Sequence, residues 1–358
     1  MDHEKHRYKV VGRAAGSNHA GRFETHSREA ISDGWDRDDI LPVLRTQTAI
    51  EVPRKVISYN TSPDLPFDRS INPYRGCEHG CVYCFARPSH AYLGLSPGLD
   101  FETRLIARPD APQVLRKELA HRKYRVAPIA IGTNTDPYQP IEKSHEIMRR
   151  CLEVLSDCNH PVAIVTKGSL IERDIDILSD MARRGLVRVG ISVTTLDAKL
   201  SRLMEPRAPA PARRLVTIRR LAAAGIPVRV MASPVIPALT DPELEAILRS
   251  GKEAGARHAS WIMLRLPREV SPLVQDWLAE HYPDRADRIM NRLREMHGGK
   301  EYDAQWHRRM RGEGPYAEVI AQRFKLAVKR FGLSAHAPPM RCDLFNAPVL
   351  PGAQMRLL

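Results

Sequence analysis

No stretch of the chain approaches the ~18 consecutive apolar residues of a membrane-spanning helix. The N-terminal segment MDHEKHRYKVVGR carries charge but no apolar run, which excludes a secretory signal. A soluble cytoplasmic protein is the resulting expectation. Internal repeats are absent. No GxGxxG follows the first strand pattern, which argues against a dinucleotide-binding fold. The six cysteines are not spread in pairs, as a secreted disulfide scaffold would have them. What is abundant is positive charge: 55 Lys and Arg against 42 Asp and Glu, a net +13. The first 50 residues carry eight charges of each sign, so the excess lies beyond them. Such a balance favours anionic partners, nucleic acid or phosphorylated metabolites, with a solvated basic surface as the plain alternative.

At 358 residues the chain holds one large domain or two smaller ones. Residues 1–50 are polar and weakly periodic and read as a mobile, disordered N-terminal tail. From 51 to 265 short β-branched runs alternate with helical patterns. Strands are expected at 69–74, 128–133, 162–166, 187–195, 227–232 and 260–264. Helices are expected between them at 112–123, 141–156, 171–183, 212–224 and 242–254. Gly185 and Gly225 stand just past helix ends, where a left-handed residue is favoured. Asp241-Pro242 has the form of an N-cap followed by proline at the first helical position. Alternation of this length means parallel strands with crossover helices. A barrel, a partial barrel and an open doubly wound sheet all satisfy it, and each puts the chemistry at the strand C-termini. From 266 to 358 the rhythm becomes helical (271–280, 284–296, 315–331), then a proline-bearing tail packed on the body.

The segment NPYRGCEHGCVYCFARPSH, residues 72–90, places Cys77, Cys81 and Cys84 in a C-x3-C-x2-C spacing directly after the first strand. Gly76 and Gly80 let the backbone fold tightly enough for three thiolates to face one object. Three thiolates are one short of a closed zinc site and one short of an ordinary iron–sulfur ligand set. His79 or His90 would complete a zinc site, although no second pair of ligands stands elsewhere in the chain. Cys151 and Cys158, seven apart on one helix face, read as core.

The C-x3-C-x2-C loop, with Tyr83 before its last cysteine and a six-strand pattern behind it, resembles the radical S-adenosylmethionine enzymes. The segments GTNTDPYQPIE (132–142), VTKG (165–168), ISVTTLD (191–197), MEPRAP (204–209) and AGIPVRVMASPVIP (224–237) resemble the spore photoproduct lyase-like branch of that superfamily. The resemblance implies an α/β fold, a partial (βα)6 TIM-like barrel with a helical C-terminal extension. It implies a 4Fe–4S cluster on Cys77, Cys81 and Cys84 whose open iron takes S-adenosylmethionine. It further implies a reducing partner of the flavodoxin or ferredoxin type and hydrogen abstraction from a substrate, nucleic acid being one class. A cluster protein that binds nucleic acid without turnover and a structural zinc protein are the competing classes.

For the cofactor pocket the resemblance points to Tyr83 beside adenine with Val235 and Ile236. Thr133, Thr135 and Asp136 would lie at the end of strand 2, Lys167 near the carboxylate, and Ser192 and Thr194 on one side of strand 4. For Asp136 a simple turn role stands beside the functional one. Glu205 and Arg207 are candidates for the substrate mouth or for a surface ion pair. Tyr138, Gln139 and Glu142 are candidates to reach the substrate, and His145 is expected at the surface. Asn72 and Arg75 are expected to shape the cysteine loop. In the lyase a cysteine at the strand-2 exit donates a hydrogen atom; Thr133 stands there in this chain, and Phe85 replaces the tyrosine after the third cluster cysteine. A threonine O–H is a far poorer hydrogen-atom donor than a thiol, so the resemblance implies related chemistry on another substrate.

Overall fold

The computed structural model describes residues 12–18, 20–23 and 44–350. Its strands are β1 (Gln47–Ile50), β2 (Ile57–Tyr59), β3 (Arg69–Ile71), β4 (Tyr74–Arg75), β5 (Arg104–Ala107), β6 (Ile129–Ile131), β7 (Val162–Thr166), β8 (Val187–Ser192), β9 (Val228–Val235) and β10 (His258–Met263). Seven form one sheet in the order β10-β9-β8-β7-β6-β3-β2. Its six expected strands, β3 and β6 to β10, run parallel in sequence order, and β2 adds an antiparallel edge. Two free edges make it a partial barrel, the expected α/β architecture.

The alternation along the strands sets an outer and an inner face. Val187, Val189 and Ile191 of β8 and Val228 and Val230 of β9 are buried in the apolar core. A Cβ added at Gly251 would stand 2.6 Å from Val230, so the helix Leu244–Glu253 lies directly on the outward side of β9. The intervening residues face the concave side. A register shift in β10 between Trp261 and Met263 turns both Ile262 and Met263 inward. Gly185 (φ 73°) and Gly225 (φ 78°) end their helices in the left-handed conformation, as expected.

Several local expectations are corrected. Residues 1–50 were expected to stay apart from the body, yet Gln47–Ile50 form β1, parallel to β5. The backbone N–H of Ala15 also reaches Glu102 at 3.0 Å. Residues 1–11, 19 and 24–43 of that segment lie outside the described ones. β1, β5 and β4 form a separate three-stranded sheet beside the barrel. The helix expected over 141–156 breaks at Glu146 (φ 50°), because the Glu142 carboxylate accepts from the N–H of Met148 at 3.0 Å and caps a second helix, Ile147–Asp157. Asp241 is not an N-cap: it lies inside a 3-10 turn and accepts from Tyr316 at 2.9 Å.

The C-terminal extension contributes helices Val270–His281, Pro283–Met296 and Pro315–Arg330. The last docks on Leu244–Glu253 through Arg323 and Glu245 at 2.6 Å. The segment after it crosses the N-terminal ends of the strands. Ser334 accepts from Ala259, Arg341 donates to Gly185 and Asn346 donates to Cys158 through backbone bonds of 2.9–3.1 Å.

Candidate active site

The cysteine loop leaves β4 and is tied down from three sides. The Cys77 N–H donates to Phe101 at 2.9 Å. The Gln139 side chain accepts from Glu78 N–H at 2.8 Å and donates to the Gly76 carbonyl at 3.2 Å. Fully buried Arg87 donates to the carbonyls of Cys81, Pro97, Gly98 and Gly80 at 2.8–3.2 Å and pairs with Glu102 at 2.5 Å. Gly76 and Gly80 take φ of 74° and 66°. A Cβ at either would meet Leu105 at 2.7 Å or Glu102 at 2.6 Å, so both glycines are required here.

The loop closes over a cavity at the C-terminal ends of the parallel strands. Cys77, Cys81 and Cys84 line it on one side, and Gly132, Thr133, Thr135, Asp136, Lys167, Ser192, Met231, Ser233, Ile262 and Arg265 are among the residues on the other. All three cysteines are free thiols. Burial pushes the Cys81 thiol up to about 12 and the Cys77 thiol well above its ordinary value, so without a metal these groups stay protonated. Gly132 (φ 90°) lets β6 pass under β7: a Cβ there would stand 1.9 Å from the Val165 carbonyl.

Of the expected pocket residues, Tyr83, Thr133, Thr135, Asp136, Lys167 and Ser192 all line this cavity. Asp136 combines its two readings. It accepts from Tyr138 N–H at 2.9 Å, a turn bond, and also from Thr166 Oγ1 at 2.5 Å and Lys167 N–H at 2.7 Å. Burial opposes its charge, but His79, 3.3 Å away, and these donors hold the carboxyl far below the usual range. Thr135 donates to the Tyr74 carbonyl at 3.2 Å, and Thr133 faces Asn72 at 3.4 Å.

Other expectations are corrected. Thr194 does not line the cavity: β8 ends at Ser192, the alternation lapses, and the Thr194 hydroxyl donates to Glu205 at 2.8 Å. Val235 and Ile236 are buried away from the cavity; Met231, Ser233 and Pro234 take that wall. Glu205 is not at a mouth. It is fully buried, accepts from Tyr83, Thr194 and Arg214, and lies 3.9 Å from the Lys167 ammonium. Lys167 also sits 5.7 Å over the Tyr83 ring. Arg207 pairs with Glu78 at 2.6 Å. Tyr138, Gln139 and Glu142 are buried and structural: Tyr138 donates to Asp174 at 3.0 Å, Gln139 holds the cysteine loop, and Glu142 takes Tyr74 and Arg173. His90 turns away to the Arg104 carbonyl at 2.9 Å, which removes it as a ligand beside the cysteines.

Two cavity residues with an unpartnered polar atom escaped the sequence reading. Ser233 carries a buried hydroxyl with no partner, and Arg265 a buried Nε with none. The Arg265 guanidinium stacks 4.6 Å over Phe85. An unpartnered hydroxyl on a cavity wall fits a polar ligand, and three free thiols on one loop are the donor set for an iron–sulfur cluster with one open iron.

A half barrel whose strand ends face a three-cysteine loop defines an enzyme class, and the sequence comparison names it. Residues 71–250 match the Radical SAM superfamily, and this chain belongs to it. It is a radical SAM enzyme. An uncharacterized protein of Mycobacterium tuberculosis is 36% identical over 277 residues, covering 77% of this chain and 78% of its own. An uncharacterized protein of Methanocaldococcus jannaschii is 25% identical over 223 residues, covering 62% and 79%. Among solved structures, spore photoproduct lyase complexed with dinucleoside spore photoproduct superposes with a TM-score of 0.58 at 15% identity, covering 80% of this chain and 81% of that one. That likeness is one of fold. No helix among the described residues is long and apolar enough to cross a membrane.

Proposed function

We propose that Cys77, Cys81 and Cys84 hold a 4Fe–4S cluster beside which S-adenosylmethionine binds, and that the chain begins its reaction by abstracting a hydrogen atom from a substrate. The carrying observation is the convergence of three free thiols on one cavity at the strand C-termini. When bound, this cofactor pair supplies a 5′-deoxyadenosyl radical after one-electron reduction, from a partner of the flavodoxin or ferredoxin type. The chain's own part is positioning and shielding. Ser233 and Ser192 offer hydroxyls on the cavity wall, and Lys167, steadied by Glu205 and the Tyr83 ring, offers a cation to a carboxylate. Asp136 ties the loop after β6 to the end of β7. Free thiols throughout the described chain suit a reducing compartment such as the cytoplasm.

The test is anaerobic reconstitution with iron and sulfide, reduction with dithionite and addition of S-adenosylmethionine. Methionine and 5′-deoxyadenosine should appear together with cluster-dependent visible absorption. Zinc in place of iron, or a reduced cluster that neither binds nor cleaves the cofactor, would favour the competing non-enzymatic classes.

A second expected result concerns substrate. The reconstituted enzyme should not convert a spore-photoproduct dinucleotide to thymidine at a useful rate. The thymine-centred radical left after bond cleavage needs a weak X–H bond to quench it. Thr133 lines the cavity where the lyase resemblance places a thiol, and Phe85 carries no hydroxyl. Among the described residues no fourth cysteine lines the cavity: Cys151 and Cys158 are buried in the core and Cys342 lies on the C-terminal segment. Rapid, clean conversion would show the hydrogen-donor argument to be wrong.

A further inference from the structure

We infer that the opposite, N-terminal end of the barrel binds a small oxyanion of the phosphate class between Arg188, Arg229, His258 and Ser260. This site is separate from the cysteine cavity. Ser192 of β8, Met231 of β9 and Ile262 of β10 face the cavity. By the two-residue period of a strand, Arg188, Arg229, His258 and Ser260 share that concave face nearer the strand starts. The register brings them together. Arg229 stands opposite Gly190 on one side and opposite His258 on the other, and Arg188 is two residues before Gly190. Met231 divides the two compartments, its Sδ lying 2.5 Å from where a Gly190 Cβ would be.

Like charges side by side on neighbouring strands destabilise a sheet, and half-buried charges are ordinarily paired. Here, among the described residues, the pairing is missing. Among the described residues no carboxylate lies within ion-pair distance of Arg188, Arg229 or His258; the nearest acceptor of Arg229 is the Ala259 carbonyl at 3.4 Å. Burial disfavours the charge on both arginines, and Arg188 adds to the effect on Arg229. Burial, Arg229, Arg188 and Arg257 likewise hold His258 toward its neutral form, against a hydrogen bond to the His336 backbone. His258 Nδ1 and Ser260 Oγ are buried with no hydrogen-bond partner. The two guanidinium groups and the Ser260 hydroxyl thus present donors, and among the described residues no negative charge is paired with them. Two guanidinium forks match the paired oxygens of a tetrahedral oxyanion, whose double charge offsets theirs. Ser334, bridged to His258, brings the C-terminal segment over the same strand ends. A bound anion would therefore also fasten that segment to the barrel.

The test uses the full chain and inorganic phosphate, followed by calorimetric titration and by thermal unfolding, and needs no cluster. Wild type should show one saturable site and a phosphate-dependent rise in Tm, as linkage requires. Arg188→Gln and Arg229→Gln should each weaken binding at least about tenfold, the loss expected for a charge-assisted fork. Arg202→Gln, an exposed arginine on the helix Ala198–Met204 that follows β8, should not. In phosphate-free buffer Arg229→Gln should melt no lower than wild type, since it relieves repulsion; a purely structural arginine would lower Tm. Glycerol phosphate competing with phosphate would support the site equally. No saturable phosphate binding, unchanged binding in both variants, or acetate binding as tightly as phosphate would overturn the assignment.

Discussion

Cys77→Ala, Cys81→Ala and Cys84→Ala chains, reconstituted anaerobically, are each expected to retain at most about a tenth of the wild-type iron, with visible absorption falling in parallel. A cluster with three protein ligands has no spare: removing one leaves two irons without protein thiolate. The structure offers no substitute. His79, which also lines the cavity, turns its Nδ1 to Asp136 at 3.3 Å, and His90 faces the Arg104 carbonyl. The remaining cysteines do not line the cavity. Folding should survive, because the loop is held by Arg87, Gln139 and the Phe101 carbonyl rather than by the thiols. Circular dichroism of each variant should therefore match wild type while the iron is gone. Full cluster retention in all three single variants would sink the ligand assignment.

Glu205→Ala is expected to be the most damaging substitution outside the cysteine loop. Glu205 and Arg214 are both essentially solvent-free, and the carboxylate also accepts from Tyr83 and Thr194. Its removal leaves the Arg214 guanidinium buried and uncompensated. Breaking such a pair costs about 3–5 kcal/mol, a large share of the stability of an ordinary domain. The same change frees Lys167 and Tyr83 on the cavity wall, so S-adenosylmethionine affinity should fall as well. Urea unfolding measures the first effect and cofactor titration the second. Glu205→Gln, which keeps shape and an acceptor oxygen, should lose less of both. A Glu205→Ala chain with wild-type stability would show that Arg214 finds other compensation in its bonds to the Pro209 and Ser192 carbonyls.

These two expectations draw on different kinds of information. The cysteine argument was legible in the chain. C-x3-C-x2-C, two glycines and a preceding strand are all local, and the loop in the structure keeps them together. The Glu205 argument was not legible. A glutamate in a proline-rich stretch reads as exposed, and nothing in its neighbourhood announces that Arg214, Tyr83 and Lys167 will converge on it. Likewise Gln139 was expected to reach for substrate and instead clamps the loop, since its partners Gly76 and Glu78 stand more than sixty residues away.

By itself the sequence determined the strand–helix rhythm, the six parallel strands and the loop that carries the cysteines, because hydrophobic period and glycine conformations act over a few residues. It also placed Thr133, Asp136, Lys167 and Ser192 near strand ends, where parallel folds put their chemistry. Only the tertiary structure decided that Gln47–Ile50 leave the polar tail to build a second small sheet, that Thr194 turns from the cavity to Glu205, and that Ser233 and Arg265 enter it. It alone brought Arg188, Arg229 and His258 side by side without a counter-charge among the described residues. Each of these depends on strand register and on contacts between distant segments. Such partners are chosen by packing and burial across the whole fold, and no short window of sequence records them.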